Sequence, residues 1–227
     1  MNSTKVFLTG TARGGTSLVA KMLDTNKNIH ITVLLFMEIL RLQRNLILNK
    51  YDKIKYPFNL TSKLPYEDYY YSDESIKILD LIINSSGKLK LPKNIWKKQL
   101  KSITGPHMRI ESKDLIKNMN NKVYDPNFKK LINNCFKVVN TTRNLKKKKI
   151  IGSLDSWVIE MFLPLAKLFK NSKFIVIIRD PRASIASNLN GYNLANVLSF
   201  VKCWRKMVAL TIYYKSLKIF KNRLFVV

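Results

Sequence analysis

Apolar runs separated by polar turns predict alternating strands and helices, beginning at the N-terminus. Residues 5–10 form a short β-branched and aromatic run that ends in glycine, which predicts a buried strand. Thr16–Asp24 carries apolar residues at helical spacing and is followed by a polar stop at residues 25–28, which predicts a helix. The chain therefore opens with a strand, a turn and a helix.

The last third of the chain repeats this alternation after a run of lysines at residues 146–149. The predicted strands are residues 150–152, 173–178 and 223–227. The predicted helices are residues 156–169, a helix that begins at Pro181, and residues 193–220. Alternating strands and helices are typical of a parallel sheet covered by helices. Since ligand-binding groups in such sheets follow the strand ends, a chain that stops on a strand is expected to lack a C-terminal part.

The middle of the chain carries short helical patterns broken by proline. Residues 36–48 predict an amphipathic helix, and residues 49–145 follow with five prolines and no internal repeat. An acidic and tyrosine-rich segment, residues 66–74, is interpreted as the start of a helix at residues 75–83, because acids at a helix start are favoured by its dipole. We expect residues 1–227 to form a single domain.

The composition is strongly basic, yet 46% of the residues are hydrophobic. There are 41 Lys and Arg against 14 Asp and Glu, which gives a net charge of +27. The hydrophobic share excludes a disordered polycation. Because the lysines are spread along the whole chain, the charge favours compositional drift plus one anionic pocket. No nucleic-acid recognition motif is present, so no specific nucleic-acid partner is expected.

Cysteine usage and hydropathy favour a reducing compartment. Cys135 and Cys203 are far apart and lack a His or Cys at metal-ligand spacing. The N-terminus lacks a signal-peptide pattern, and the most apolar stretches, residues 29–40 and 157–169, are shorter than the roughly 20 residues that span a bilayer. We expect a cytoplasmic protein without a membrane span, a disulfide or a metal site.

A glycine-rich turn joins the first predicted strand to the first helix. Residues 10–17 read Gly-Thr-Ala-Arg-Gly-Gly-Thr-Ser, with the glycine spacing of a phosphate-binding loop but without its lysine. Glycines let the backbone N–H groups and a helix N-terminus face an anion, and an arginine inside the loop supplies a fixed cation. The residues expected to hold the anion are Arg13, Gly14, Gly15, Thr16 and Ser17.

A second cluster follows the predicted strand before the Pro181 helix. Arg179 stands at the carboxyl end of that strand, and Ser187 lies two turns along the helix. Arg179 can form a forked contact with a phosphate or sulfate, to which Ser187 adds a hydroxyl. The alternative is a structural ion pair of Arg179 with Asp180 or Asp155.

Together the two clusters resemble the sulfotransferases that use 3′-phosphoadenosine 5′-phosphosulfate (PAPS), including the bacterial-type members. Residues 13–17 match the family's first pattern, a basic residue followed by Ser/Gly-Gly-Thr-Ser/Thr. Residues 179–187 match its second pattern, Arg-Asp/Asn-Pro-Arg/Lys with Ser eight residues after the first Arg. The resemblance covers about the first 50 and the last 75 residues. It implies an α/β, P-loop-like three-layer sandwich with a central parallel sheet. Residues 49–145 would then be a mostly helical insertion on the acceptor side.

The resemblance also implies a reaction and a role for each residue. PAPS is the co-substrate, no metal is needed, and a sulfuryl group passes to an acceptor hydroxyl or amine. Arg13 and the loop amides hold the 5′-phosphosulfate and stabilise the charge that develops on the leaving phosphate, while Arg179 and Ser187 hold the 3′-phosphate. The acceptor, whether carbohydrate, protein, lipid or small molecule, stays open. Family members usually continue past a strand such as residues 224–227, which again predicts a missing C-terminal part.

The general base and the reaction class leave alternatives open. Glu38 is the expected base, with His107 and His30 as alternatives. Glu38 is otherwise a helix-surface residue that faces Arg41 or Arg44. A P-loop nucleoside or nucleotide kinase-like phosphotransferase is the alternative function, because it shares the strand, loop and helix start although this loop lacks its lysine.

Overall fold

The computed structural model of the chain describes a parallel sheet with helices packed around it. The described residues are 3–11, 13–33, 36–50, 80–85, 90–97, 115, 118–119, 123–145, 148–156, 158–190 and 197–227. The acidic and tyrosine-rich segment at residues 66–74 and the candidate base His107 lie outside the described residues.

Five strands form the sheet in the described part of the chain. They are β1 (Thr4–Gly10), β2 (Ile29–Val33), β3 (Ile150–Leu154), β4 (Lys173–Ile177) and β5 (Leu224–Val226). Their order across the sheet is β2-β3-β1-β4-β5, and every neighbouring pair is parallel. Because β1 is central, the residues that follow β1, β3 and β4 meet at one edge of the sheet.

Helices connect the strands and cover the sheet. They are α1 (Thr16–Asp24), α2 (Met37–Lys50), α3 (Phe128–Thr142), α4 (Phe162–Leu168), α5 (Pro181–Leu189) and α6 (Val197–Ser216). Turns of 3-10 helix precede α4 at Ile159–Met161 and follow α6 at Lys218–Phe220. The α/β fold with a central parallel sheet, predicted from the sequence, is confirmed.

The observed elements depart from the prediction at β2 and at α4. Strand β2 was not predicted, because its five residues merge into the longer apolar stretch at residues 29–40. The helix predicted at residues 156–169 begins only at Phe162, after the 3-10 turn. Pro164 accounts for the late start, since proline has no backbone N–H and is tolerated only in the first turn of a helix.

The core lies on both faces of the sheet, as alternation along β1 requires. Phe7 points to one face, where its ring stacks on Phe174 at 5.6 Å between centroids and meets Phe136 edge-on at 5.9 Å. Val6 and Leu8 point to the other face, where they pack in the cluster that contains α1. Since both faces are covered, the ends of the strands are the places left for binding.

A buried charged cluster ties two helices to the turn after β3. Glu160 lies in the 3-10 turn, with Oε1 3.8 Å from Nη1 of Arg44 in α2 and Oε2 3.4 Å from Nζ of Lys206 in α6. All three side chains are at most 4% exposed. Charges this deeply buried persist only where they are paired, so the cluster fixes α2 and α6 relative to the sheet.

The position of Arg44 also bears on the surface interpretation of Glu38. Arg44 is buried against Glu160 and does not lie on the exposed surface of α2 where that interpretation placed it. The side chain of Arg41, the other suggested partner, lies outside the described residues.

Candidate functional site

The loop between β1 and α1 is tightly curled. Arg13 and Gly15 have left-handed backbone conformations, with φ of 59° and 82°. Glycine adopts this conformation readily and arginine rarely does. The N–H of Gly14 donates to the carbonyl oxygen of Thr11 at 3.1 Å, and a Cβ on Gly14 would lie 2.9 Å from that oxygen. The turn therefore requires a glycine at this position.

The N-terminus of α1 has no cap in the described part of the chain. Gly15 occupies the N-cap position without a side-chain hydrogen bond. The N–H groups of Gly15, Thr16 and Ser17 donate no hydrogen bond to a described residue, and the buried hydroxyl of Thr11 has no such partner either. Unbonded N–H groups at the positive end of a helix dipole bind anions well. This end of α1 suits a phosphate or a sulfate.

Two arginines bring the two sequence motifs together. Nε of Arg13 donates to the carbonyl oxygen of Ser187 at 3.2 Å and to its hydroxyl oxygen at 3.1 Å. Nη1 of Arg179 donates to the carbonyl oxygen of Arg13 at 3.0 Å. The loop and the end of β4 are thus in direct contact, although more than 160 residues separate them in the sequence.

Asp180 pairs with Arg182 and not with Arg179. Its Oδ2 accepts from Nη2 of Arg182 at 2.6 Å, and its Oδ1 accepts from the N–H of Arg182 at 2.8 Å. The side-chain and backbone hydrogen bonds from Arg182 lower the pKa of Asp180 to about 2. Arg179 forms no ion pair with any described residue, and its Nε and Nη2 donate no hydrogen bond to one. Among the described residues, the expected alternative of a structural ion pair for Arg179 is therefore not observed.

Trp204 of α6 holds the end of β4. Its indole Nε1 donates to the carbonyl oxygen of Arg179 at 2.9 Å. This bond restrains the backbone from which the Arg179 side chain extends. The sequence carries no local signal for the contact, because the two residues are 25 positions apart and lie in different elements.

Glu38 lies in the first turn of α2, and the start of α2 is held at the same sheet edge as the loop. Asp155, directly after β3, accepts from the N–H of Phe36 at 2.9 Å and from the hydroxyl of Ser153 at 2.6 Å. Its own N–H donates to the carbonyl oxygen of Leu8 in β1 at 2.9 Å. Asp155 thus joins the beginning of α2 to the carboxyl ends of β1 and β3. The sequence pattern indicated Asp155 only as an alternative partner for Arg179 and did not predict this role.

His30 lies at the opposite edge of the sheet. His30 and Lys5 both pair with Ile151 of β3, so His30 is level with Lys5 in the sheet. Lys5 lies five residues before Gly10, which places His30 roughly 17 Å from the loop end of β1 at about 3.3 Å per residue. Its Nδ1 lies 2.9 Å from Oδ1 of Asp24. This position disfavours His30 as the base for a reaction at the loop.

The described ranges contain neither a candidate metal site nor a candidate membrane-spanning helix. Within those ranges, no group of three or more His, Cys, Asp or Glu residues is arranged to hold a metal ion. None of the helices formed by those residues has both the length and the apolar character needed to cross a membrane.

Comparisons with known proteins point to one family. A sequence model described as the sulfotransferase family matches residues 5–223. The solved sulfotransferase domain from the Synechococcus PCC 7002 olefin synthase matches with a TM-score of 0.50 and 12% identity, over 100% of this chain and 66% of that chain. At this identity the structural match shows the shared fold, and the chain spans slightly less than two thirds of that structure's length. No curated protein matches. The family expected from the two motifs is confirmed.

Proposed function

Since the chain belongs to the sulfotransferase family, we propose that it transfers a sulfuryl group from PAPS to an acceptor hydroxyl or amine. The observation that carries this proposal is the direct contact of Arg13 and Arg179 beside the uncapped start of α1. PAPS carries anionic groups on both its 5′ and 3′ oxygens. Two arginines next to three N–H groups that have no partner in the described ranges match a ligand with two separate anionic groups.

The loop is proposed to hold the 5′-phosphosulfate. The N–H groups of Gly15, Thr16 and Ser17 and the buried hydroxyl of Thr11 are donors without a described partner, and a phosphate or sulfate oxygen would satisfy them. They belong to a turn in which the N–H of Gly14 donates to the carbonyl oxygen of Thr11. We expect this bond to reduce the ordering that anion binding at the loop requires.

Arg179 and Ser187 are proposed to hold the 3′-phosphate. Nε and Nη2 of Arg179 stay available when Nη1 contacts the loop, which leaves two donors for a forked contact with phosphate oxygens. The Ser187 hydroxyl accepts from Arg13, so its own O–H remains to donate to an anion. The same bond holds Arg13 between the two phosphate positions.

The proposed reaction is an in-line displacement at sulfur. The acceptor oxygen or nitrogen forms a bond to sulfur, the bond from sulfur to the bridging phosphate oxygen breaks, and adenosine 3′,5′-bisphosphate leaves. Negative charge grows on that phosphate oxygen, where Arg13 and preoriented N–H groups stabilise the transition state most. The acceptor proton passes to a base, for which we propose Glu38, with Asp155 as a positioning residue for the start of α2.

The proposed partners are PAPS and an acceptor whose class stays open. Acceptor choice in such folds depends on loops and insertions. In this chain most of residues 49–127, the part of the insertion before α3, lies outside the described ranges. Cys135 and Cys203 are buried and form no disulfide within the described residues, and we propose the cytoplasm as the site of action.

Nucleotide binding by the purified chain tests this function. Calorimetry would compare adenosine 3′,5′-bisphosphate, AMP and ATP, each with Mg²⁺ and with EDTA. We expect adenosine 3′,5′-bisphosphate to bind at least about tenfold more tightly than AMP, since one charge-assisted hydrogen bond contributes roughly 1.5–3 kcal/mol. EDTA is expected to have no effect, because arginines supply the positive charge.

Two results would contradict the proposal. Equal affinity for adenosine 3′,5′-bisphosphate and AMP would remove the 3′-phosphate contact from the account. Tightest binding of ATP with a requirement for Mg²⁺ would instead indicate the kinase-like phosphotransferase.

A further inference from the structure

A second cleft lies at the amino edge of the sheet, away from the loop. Its volume is about 910 Å³. Its lining includes Lys5 near the start of β1, Ile151 near the start of β3 and Ser172 just before β4. Gly10 lies five residues beyond Lys5, so roughly 17 Å of strand separates this cleft from the loop. The cleft is therefore distinct from the proposed donor site.

Lysines dominate the wall of this cleft. The lining lysines are Lys5, Lys129, Lys130, Lys137, Lys167 and Lys170. None of the six forms an ion pair with a residue in the described ranges. Asp125 is the acid among the described lining residues, and its Oδ1 accepts from the N–H of Asn127 at 2.8 Å. Six lysines thus line one cavity, of which Lys167 donates from Nζ to the carbonyl oxygen of Ile83 at 3.3 Å, and the Asp125 carboxylate beside them accepts from a backbone N–H.

Helix α3 supplies one wall of the cleft through its polar face. Its lining residues recur at helical spacing and are Lys129, Lys130, Asn133, Asn134, Phe136, Lys137 and Asn140. The opposite face is buried in the core through Leu131, Ile132, Cys135 and Val139. Lysine ammonium groups and asparagine amides are both hydrogen-bond donors to phosphate and sulfate oxygens. The amphipathic pattern of α3 therefore builds the core and a donor-rich wall together.

Burial and a neighbouring charge affect the protonation of two of these lysines. Burial, and secondly the charge of Lys129, lower the pKa of Lys5. Burial also lowers the pKa of Lys167. Nζ of Lys5 lies 5.7 Å and 5.3 Å from the ring centroids of Phe136 and Phe169, which gives it aromatic contacts but no counterion among the described residues. Like charges held this way disfavour the folded chain, and a bound anion would offset that cost.

We propose that this lysine cleft binds a compact polyanion, a small molecule with several phosphate or sulfate groups, independently of the nucleotide donor. A volume of about 910 Å³ is in the range of small-molecule sites. Six lysines around one cavity match several anionic groups better than a single one. The concave shape favours a compact ligand over a nucleic-acid duplex, whose phosphates are contacted along an extended surface.

Calorimetry with inorganic tripolyphosphate tests the proposal. The test variant is Lys129→Gln with Lys137→Gln, and the matched control is Lys215→Gln with Lys221→Gln. All four side chains are exposed and each pair removes two positive charges, so both variants are expected to fold. We expect the test pair to weaken tripolyphosphate binding by about tenfold or more, equal to about 1.4 kcal/mol, and the control pair to leave it unchanged. Binding is also expected to persist in Arg13→Gln with Arg179→Gln, which disables the loop.

Three results would overturn the proposal. Equal weakening in both lysine pairs would show that tripolyphosphate responds only to the net charge of the chain. Loss of binding in the double arginine variant would show that the loop is the tripolyphosphate site. Tighter binding of a short DNA duplex than of tripolyphosphate, lost in the test pair, would assign the cleft to a nucleic acid instead of a compact ligand.

Discussion

Replacing Arg179 by glutamine should abolish the preference for a 3′-phosphate without abolishing nucleotide binding. Nη1 of Arg179 is engaged by the carbonyl oxygen of Arg13 at 3.0 Å, so Nε and Nη2 are the donors left for the nucleotide. Each charge-assisted hydrogen bond contributes roughly 1.5–3 kcal/mol. Because the side chain is exposed, we count one such bond, which corresponds to roughly a 10- to 150-fold loss of affinity for adenosine 3′,5′-bisphosphate.

The readout is the ratio of two affinities measured by calorimetry, adenosine 3′,5′-bisphosphate over AMP. The substitution also perturbs the contact with the loop, but that effect applies to both nucleotides and cancels in the ratio. Arg182→Gln is the matched control, since it removes the same charge three positions along the chain from Arg179. The side chain of Arg182 pairs with Asp180. We expect the ratio to fall towards one in Arg179→Gln and to stay unchanged in Arg182→Gln. An affinity ratio that stays unchanged in Arg179→Gln, or that falls equally in both variants, would refute the assignment of Arg179 to the 3′-phosphate.

Two further substitutions test other parts of the account. Arg13→Ala should slow release of adenosine 3′,5′-bisphosphate from PAPS by roughly 10²- to 10³-fold and change nucleotide affinity less, because Arg13 faces charge that develops in the transition state. The rate is measured with any acceptor that supports turnover, and a near-normal rate would remove Arg13 from the mechanism. Glu160→Gln should destabilise the chain by about 3–5 kcal/mol in urea unfolding, because Arg44 and Lys206 would stay buried without the carboxylate, whereas a loss below about 1 kcal/mol would show that the cluster does not hold α2 and α6.

The parts of the fold that the sequence predicts well are those where local pattern and motif coincide. Strand β1, the loop and α1 were all predicted, and α1 has the predicted bounds. There an apolar run, glycines and a helical repeat follow one another within 21 residues, so local chemistry alone fixes each boundary. The start of α5 was predicted for the same reason, because Pro181 occupies the first position of that helix.

The contacts that the sequence did not predict join residues far apart in the chain. Asp155 holds the start of α2, and Trp204 holds the backbone of Arg179. Glu160 pairs with Arg44 and Lys206 inside the core. The contacts of Asp155 depend on which strands are neighbours in the sheet, and those of Trp204 and Glu160 depend on how the helices pack around it. Hydrophobic periodicity specifies neither. An acid directly after an apolar strand, as at Asp155, is the one local signal that marks such a residue in advance.

Donor binding at the loop is tested most directly by backbone amide chemical shifts during a titration with adenosine 3′,5′-bisphosphate. We expect the largest changes at Gly15, Thr16 and Ser17, whose N–H groups have no partner among the described residues, together with a change at Ser187. The amides of the lysine cleft should keep their shifts. Binding that leaves the three loop amides unchanged, or that shifts only the amides of the lysine cleft, would contradict the assignment of the loop as the donor site.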